Sequence, residues 1–240
     1  MALQTLTEIK KGQTGTGLLV ENDGFVSFDL PENKKLFEGI IGSEGRRMSP
    51  KDLPNPFIVS AVFQKFGIEN ANGRVYPEEV LKRAVEKYLA NIQDRRGYGE
   101  ANHPDGSAID VGRIAINITE LHWEGRTLVG KMEIPITEGF RNYGIVSTLS
   151  DMVAHWLISD LKLGVSSRGL GSVKQELGKL VVGDDYEILC WDVVTQPSTP
   201  LAYIGLSDGE LEPYKESRKN DGNTLTENRF DKFEKWLLNG

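Results

Sequence analysis

The spacing of apolar residues predicts a strand followed by a helix in the first half of the chain. Residues 57–63 are apolar, rich in β-branched and aromatic side chains and bounded by proline and glycine, which is typical of a strand. Pro77, followed by two glutamates, indicates the first turn of a helix. Apolar residues then recur at helical spacing, namely Val80, Leu81, Ala84, Val85, Tyr88, Leu89 and Ile92.

The pattern further along the chain predicts three more strands and a second helix. Residues 111–123 and 127–134 read as strands joined by a turn at 124–126, and residues 186–195 read as another apolar strand. Between these strands an apolar stripe at helical spacing predicts the helix. Its members are Ile145, Leu149, Met152, Val153 and Trp156.

Changes in composition divide the chain into three parts. Residues 1–52 are rich in Gly, Lys and Glu with short apolar runs, and we treat them as a weakly specified N-terminal segment. Residues 53–206 form the predicted folded domain. Residues 207–240 turn polar and read as a linker with a short terminal amphipathic helix. The apolar side of that helix would consist of Phe230, Phe233, Trp236 and Leu237.

Composition and charge narrow the function classes. The 28 basic and 35 acidic side chains give a net charge of −7 without a basic block, so we expect no nucleic-acid partner. One cysteine excludes an intramolecular disulfide, and no apolar stretch reaches the roughly 20 residues of a membrane span. The N-terminus lacks the pattern of a secretory signal. We therefore expect an intracellular protein without a membrane partner.

Histidine is the side chain best suited to general base catalysis at neutral pH, and the chain has three. His122 lies in a strand pattern and His155 on an amphipathic helix, so both are interpreted as structural. His103 lies in a loop of glycine and proline beside Glu100 and Asp105. It is the candidate base, and the alternative is a solvated loop histidine.

The segment 164–172 combines glycines and serines with Arg168, and its small residues would let backbone amides approach a ligand or an oxyanion. A nucleophilic Ser166 would need a base such as His103, and that base would need a carboxylate. Asp192 is a carboxylate inside an apolar strand. The alternatives are a flexible glycine loop, an exposed strand aspartate, and a phosphate cradle that lacks the P-loop spacing and lysine.

Three blocks of sequence resemble the prohead core proteases of large tailed phages, which are distant relatives of herpesvirus assemblin. They are Asn70-Ala71-Asn72-Gly73-Arg74-Val75-Tyr76-Pro77, Gly99-Glu100-Ala101-Asn102-His103-Pro104 and Gly164-Val165-Ser166-Ser167-Arg168-Gly169-Leu170-Gly171-Ser172. Asp192-Val193-Val194 and Pro197-Ser198-Thr199-Pro200 follow at the family's spacing. Ala101 stands where leucine is usual in this family.

The resemblance implies an α+β fold with an assemblin-like β-barrel core flanked by helices, and it makes residues 53–206 a protease domain. It also implies a serine endopeptidase with His103 as base, Ser166 as nucleophile and Asp192 as the third member of the triad. The oxyanion region would lie at Arg168 and Gly169. Ser167 is the alternate nucleophile and Glu100 the alternate third member.

By the same resemblance, the substrates are scaffold, core and major capsid proteins inside the prohead in the host cytoplasm. Cleavage is expected after Leu/Ile-x-Glu, without metal or cofactor, and self-association is a further expectation. The chain itself contains Leu6-Thr7-Glu8 and Leu225-Thr226-Glu227 in its tails, which suggests self-processing. Ile118-Thr119-Glu120 also fits, in a predicted strand.

Two other functions are compatible with the sequence. The first is a noncatalytic scaffold or capsid-assembly protein that retains the protease fold and needs no triad. The second is a metal-dependent hydrolase that uses His103, Glu100 and Asp105, although the His-Glu-x-x-His spacing is absent.

Overall fold

The computed structural model describes residues 7–21, 49–104, 106–159, 161 and 163–195. These residues form the strands β1 (Gly15–Val20), β2 (Ile58–Lys65), β3 (Arg74–Val75), β4 (Tyr98–Glu100), β5 (Ile114–Glu124), β6 (Thr127–Glu133), β7 (Gly164–Glu176), β8 (Lys179–Val182) and β9 (Glu187–Val194). The helices are α1 (Glu78–Gln93), α2 (Glu138–Tyr143) and α3 (Leu149–Ile158), with 3-10 turns at Pro50–Asp52 and Val111–Arg113. In the described ranges no helix combines the length and apolar character needed to cross a bilayer. The predicted C-terminal helix lies outside them.

Strand β7 is the centre of a five-stranded sheet. Arg168 on β7 pairs with Val20 of β1 and with Cys190 of β9, so β1 and β9 lie on opposite sides of β7. Both pairings are antiparallel. The last four residues of β7 pair with β8, which pairs in parallel with the short β3. The long central strand therefore holds the N-terminal segment and β9 side by side.

The second sheet has four antiparallel strands in the order β2-β6-β5-β4. Its β5–β6 hairpin confirms the strand pair predicted from the sequence, and Gly125 takes the left-handed conformation at the turn, with φ +58°. The first strand of this hairpin, predicted over residues 111–123, begins later than expected, because residues 111–113 form a 3-10 turn before β5.

The two sheets meet where the chain leaves β4. Ala101 forms an isolated parallel bridge with Val193 of β9. The predicted α+β class is confirmed, but the described strands form two sheets rather than the closed β-barrel that we expected.

Helix α1 covers the sheets with the apolar face that the sequence predicts. Five of its apolar side chains are buried, and Tyr88 meets Trp191 of β9 edge-on with ring centroids 5.0 Å apart. Phe63 of β2 contacts the same indole at 5.6 Å. Each large side chain buried in this way stabilises the fold by about 1.5–3 kcal/mol.

The glycine-rich segment 164–172 is part of strand β7, so the alternative of a flexible glycine loop is wrong. Its glycines are required by packing, because a Cβ at Gly169 would come within 2.6 Å of the Glu187 carbonyl and Gly171 lies against Tyr186. Glycine inside a strand often marks such a close approach.

Helix α3 begins later than the apolar stripe suggests, because Thr148 and Asp151 form a capping box at its start. Ile145 therefore lies before the helix and is 57% exposed. The six-residue α2, which buries only Phe140, was not predicted. Residues 15–20 of the weakly specified N-terminal segment form β1 and belong to the five-stranded sheet. The other predicted domain boundaries stay predictions.

Candidate active site

The turn after β4 places His103 beside β9. Asn102 donates its backbone N–H to the Val193 carbonyl over 2.8 Å and adopts φ +65°, a left-handed conformation that asparagine tolerates. Gly99 allows this close approach, because a Cβ there would collide with the Trp191 carbonyl. The imidazole of His103 consequently lies against Asp192.

His103 and Asp192 form a buried pair. The Nδ1 atom of His103 lies 2.7 Å from Oδ2 of Asp192, and the two side chains are 4% and 0% exposed. Burial alone would raise the pKa of Asp192, but the hydrogen bond and charge of His103 and the charge of Arg168 hold that pKa below its ordinary value. A carboxylate at Nδ1 favours the tautomer in which Nδ1 carries the proton, and in that tautomer the lone pair lies on Nε2. Nε2 is buried without a hydrogen-bond partner among the described residues.

The β7–β9 register separates the two candidate serines. Ser166 pairs directly with Asp192, whereas Ser167 pairs with Trp191. Because directly opposed residues share one face of a sheet and successive residues alternate, Ser166 lies on the face of Asp192 and Ser167 on the other face. The fold thus brings Ser166, Asp192 and His103 together and points Ser167 away from them.

The hydroxyl of Ser166 donates to the backbone carbonyl of Glu21, at the end of β1. It forms no hydrogen bond with the buried Nε2 of His103. Such bonds between nucleophile and base are often absent before substrate binds. The Ser166 hydroxyl would have to rotate away from the Glu21 carbonyl to form a hydrogen bond with Nε2 of His103.

Arg168 joins the carboxylates of Asp192 and Glu100. Its Nε lies 3.0 Å from Oδ2 of Asp192, and its Nη2 donates to Glu100; all three side chains are fully buried. Glu100 also accepts the Asp110 amide at 2.7 Å. Glu100, the alternate third member, therefore faces Arg168 and Asp110, whereas Asp192 faces His103.

The predicted oxyanion region lies where β7 is paired on both sides. Gly169 pairs with Leu19 of β1 and Ile188 of β9, next to the pairs already described for Arg168. Because β1 and β9 flank this part of β7, an oxyanion would reach its backbone amides only if one of these two strands separated from β7. The assignment stays a prediction.

The other titratable side chains considered from the sequence lie elsewhere or are unsuited to catalysis. His122 is about half exposed between Glu120 and Glu124, and His155 packs edge-on against Phe140. Burial raises the pKa of Cys190 well above its ordinary value, so the thiol beside Asp192 stays protonated. In the described part of the chain, which leaves out Asp105, no group of three or more His, Cys, Asp or Glu side chains is placed to hold a metal ion.

The sequence interpretation missed one cluster, which surrounds the buried carboxylate of Glu21. The four donors around it come from the first resemblance block, to which no role was assigned. A signal was present, since these donors recur at every second position, although in the structure a turn at Asn70 precedes the extended residues of β3. They are Asn70, Asn72, Arg74 and Tyr76.

Comparisons with known proteins show the family of the chain. The family described as prohead core protein serine protease matches residues 18–210. The prohead core protein protease of Enterobacteria phage T4 is 30% identical over 173 residues, which cover 71% of this chain and 78% of that protein. The solved structure of the bacteriophage T4 capsid assembly protease shares the fold, with a TM-score of 0.55 and 22% identity over 75% of this chain and 98% of that one. Because the family match runs from within β1 to beyond β9, the chain belongs to the prohead core protein serine proteases.

Proposed function

We propose that this protease is a serine endopeptidase in which Ser166 is the nucleophile, His103 the base and Asp192 the group that orients the base. One observation carries the assignment, namely the 2.7 Å pair of His103 and Asp192 with Ser166 directly opposite Asp192 in the sheet. The unpaired Nε2 of His103 supports it, because buried polar atoms are nearly always hydrogen-bonded and a catalytic role is one reason for an exception.

The reaction is acyl transfer. Oγ of Ser166 bonds to the carbonyl carbon of the substrate while its proton passes to Nε2 of His103, and Asp192 stabilises the imidazolium. The imidazolium then protonates the leaving amine as the C–N bond breaks. Water hydrolyses the resulting ester, with His103 again taking the proton. Backbone amides at Arg168 and Gly169 are the proposed donors to the oxyanion.

The proposed substrates are scaffold, core and major capsid proteins within the prohead in the host cell. The support is the T4 relative, which is named a prohead core protein protease. We propose cleavage after Leu/Ile-x-Glu without a cofactor. A noncatalytic assembly role is less well supported, because the paired serine, histidine and aspartate of the site are all present.

Self-processing is part of the proposal. Glu8, the last residue of Leu6-Thr7-Glu8, is exposed, while Leu225-Thr226-Glu227 lies outside the described residues. Ile118-Thr119-Glu120 is a poor site in the folded protein, because β5 is paired on both sides and Ile118 is fully buried. Intact termini in the enzyme from mature particles would contradict the self-processing proposal.

The deciding experiment incubates the protein with its phage's scaffold protein and maps the products by mass spectrometry. Ser166→Ala and His103→Ala are expected to lower the cleavage rate by about 10³-fold or more. Ser167→Ala is the matched control, because it removes the neighbouring hydroxyl on the opposite face. It is expected to stay within about tenfold of the parent rate.

Equal cleavage by the parent and Ser166→Ala would disprove the assignment of the nucleophile. A loss of activity in Ser167→Ala alone would transfer the role to that residue. No cleavage by the parent, even within assembled proheads, would favour the noncatalytic role.

A further inference from the structure

Glu21 holds its carboxylate in a buried pocket of four donors. Its Oε2 accepts from Asn70 Nδ2 at 2.7 Å and from Asn72 Nδ2 at 2.6 Å. Its Oε1 accepts from Arg74 Nη1 at 3.0 Å and from the Tyr76 hydroxyl. The residue is 1% exposed. One carboxylate thus receives four hydrogen bonds, one of them from a cation.

The pocket is organised by its own segment. Oδ1 of Asn70 accepts the backbone amides of Asn72 and Arg74, both at 3.0 Å, which fixes the turn before β3. Burial and the charge of Glu21 raise the pKa of Tyr76 well above its ordinary value, so this phenol stays a neutral donor. The ring of Tyr186 packs against the Tyr76 ring at 5.0 Å. The Asn70 turn and the Tyr186 contact do not involve the carboxylate, so they hold the donors ready for a carboxylate from any chain segment.

The backbone of Glu21 lies at the candidate nucleophile. Its carbonyl oxygen accepts the Ser166 hydroxyl, and its amide donates to the Ser167 carbonyl over 3.3 Å. β1 approaches this point as an extended strand antiparallel to β7. Recognition by strand addition presents a peptide in the same way, with backbone pairing for affinity and side-chain pockets for specificity.

We propose that Asn70, Asn72, Arg74 and Tyr76 form the subsite for the substrate side chain that precedes the scissile bond, and that Glu21 occupies this subsite in cis. This inference rests on Ser166 being the nucleophile, as proposed above. The pocket selects a glutamate side chain. Its four donors converge on a single carboxylate, and the backbone carbonyl of the residue that carries this carboxylate accepts the Ser166 hydroxyl.

The occupied subsite makes the described form self-blocked. A substrate strand must displace the end of β1 before its own carbonyl can reach Ser166. The occupant Leu19-Val20-Glu21 also conforms to the cleavage pattern proposed above.

The test measures peptide binding in full-length chains that carry Ser166→Ala, so that no cleavage occurs. The probe is a fluorescent acetylated Gly-Leu-Leu-Val-Glu peptide, a copy of residues 17–21, and its partner ends in glutamine. Adding Glu21→Ala is expected to increase affinity for the glutamate peptide by roughly tenfold or more, with little gain for the glutamine peptide. Glu8→Ala is the matched control, because Glu8 ends a similar tripeptide in the same segment but is exposed.

A second variant tests the pocket itself. Asn72→Asp, added to the Glu21→Ala chain, places a carboxylate where the amide donor was. It is expected to reverse the preference, so that the glutamine peptide binds more tightly. A purely structural cluster has no reason to change the preference between two peptides.

Equal affinity of the folded Glu21→Ala and Glu8→Ala chains for the glutamate peptide would overturn the proposal, as would an unchanged preference after Asn72→Asp. If Glu21→Ala does not fold, the isosteric Glu21→Gln replaces it with the same expected direction. Since binding needs no chemistry, this result is independent of the cleavage test of Ser166.

Discussion

Two buried aspartates, Asp151 and Asp192, resemble each other in exposure and in the direction of their pKa shifts. Both are 0% exposed, and interactions that outweigh burial hold both pKa values below the ordinary value. Asp151 accepts five hydrogen bonds, all from neutral donors of Thr137, Ser147 and Thr148. These donors lie within 14 residues of it, and the network ends there as a helix cap.

Asp192 is held by distant and charged groups. Its partners include His103, 89 residues away, and Arg168, 24 residues away on the neighbouring strand. The network continues to Nε2 of His103, which has no hydrogen-bond partner among the described residues. A lowered carboxylate pKa therefore does not by itself mark a catalytic site. The unsatisfied atom at the end of the network distinguishes the two.

The largest expected difference between the two aspartates is in catalysis. Asp192→Asn removes the charge that fixes the imidazole and is expected to lower kcat/KM by about 10⁴-fold. Asp151→Asn is expected to change kcat/KM per folded molecule by less than about threefold. Peptide hydrolysis, normalised by the folded fraction from circular dichroism, measures both. Similar losses in the two variants would refute the distinction.

The two networks are expected to differ less in their contribution to the free energy of unfolding than in their effect on catalysis. Arg168→Met leaves Glu100 and Asp192 buried without their guanidinium, which costs about 3–5 kcal/mol. Asp151→Ala removes the acceptor of the capping box, which costs about 2 kcal/mol. Urea unfolding followed by tryptophan fluorescence gives both free energies of unfolding. An Arg168→Met chain as stable as the parent would show that the buried charges are neutralised in another way.

The smallest expected effect is on how the free energy of unfolding changes with pH. The folded pKa of Asp151 lies below the unfolded value of about 3.9, so the folded state binds the proton less tightly. The stability that it contributes is complete above the unfolded pKa and is lost as pH falls through the folded pKa. Asp151→Asn should therefore lose less unfolding free energy than the parent between pH 5 and pH 3, approximate bounds for this titration. Parallel losses in urea titrations would contradict this expectation.

Several parts of the fold could be predicted from local pattern. The face of α1 follows from apolar residues at helical spacing, and the β5–β6 hairpin follows from two apolar runs around Gly125. The strand around Gly169 could not be predicted, because the sequence does not show that Tyr186 packs where a side chain would stand. Short α2 buries a single residue and has no stripe to detect.

Some residues of the candidate site could likewise be predicted from the sequence, and others could not. Motif resemblance named His103, Ser166 and Asp192, and the register of β7 and β9 then distinguished the neighbouring serines. The partner of the Asn70–Tyr76 donors was not predictable, because Glu21 is 49 residues from Asn70 and lies in a segment of unremarkable composition. Only the pairing of β1 with β7 brings it to the pocket.

Cys190 gives the protein a built-in reporter of how often the site opens. It is the only cysteine of the chain, is fully buried, and has its sulfur 3.1 Å from Nη2 of Arg168 and 3.3 Å from Oδ1 of Asp192. A thiol reagent can reach it only when β9 separates from its neighbours, so the labelling rate equals the opening frequency when labelling outpaces reclosing. The same atom therefore allows the timing of exposure to be followed in the purified protein without any substrate.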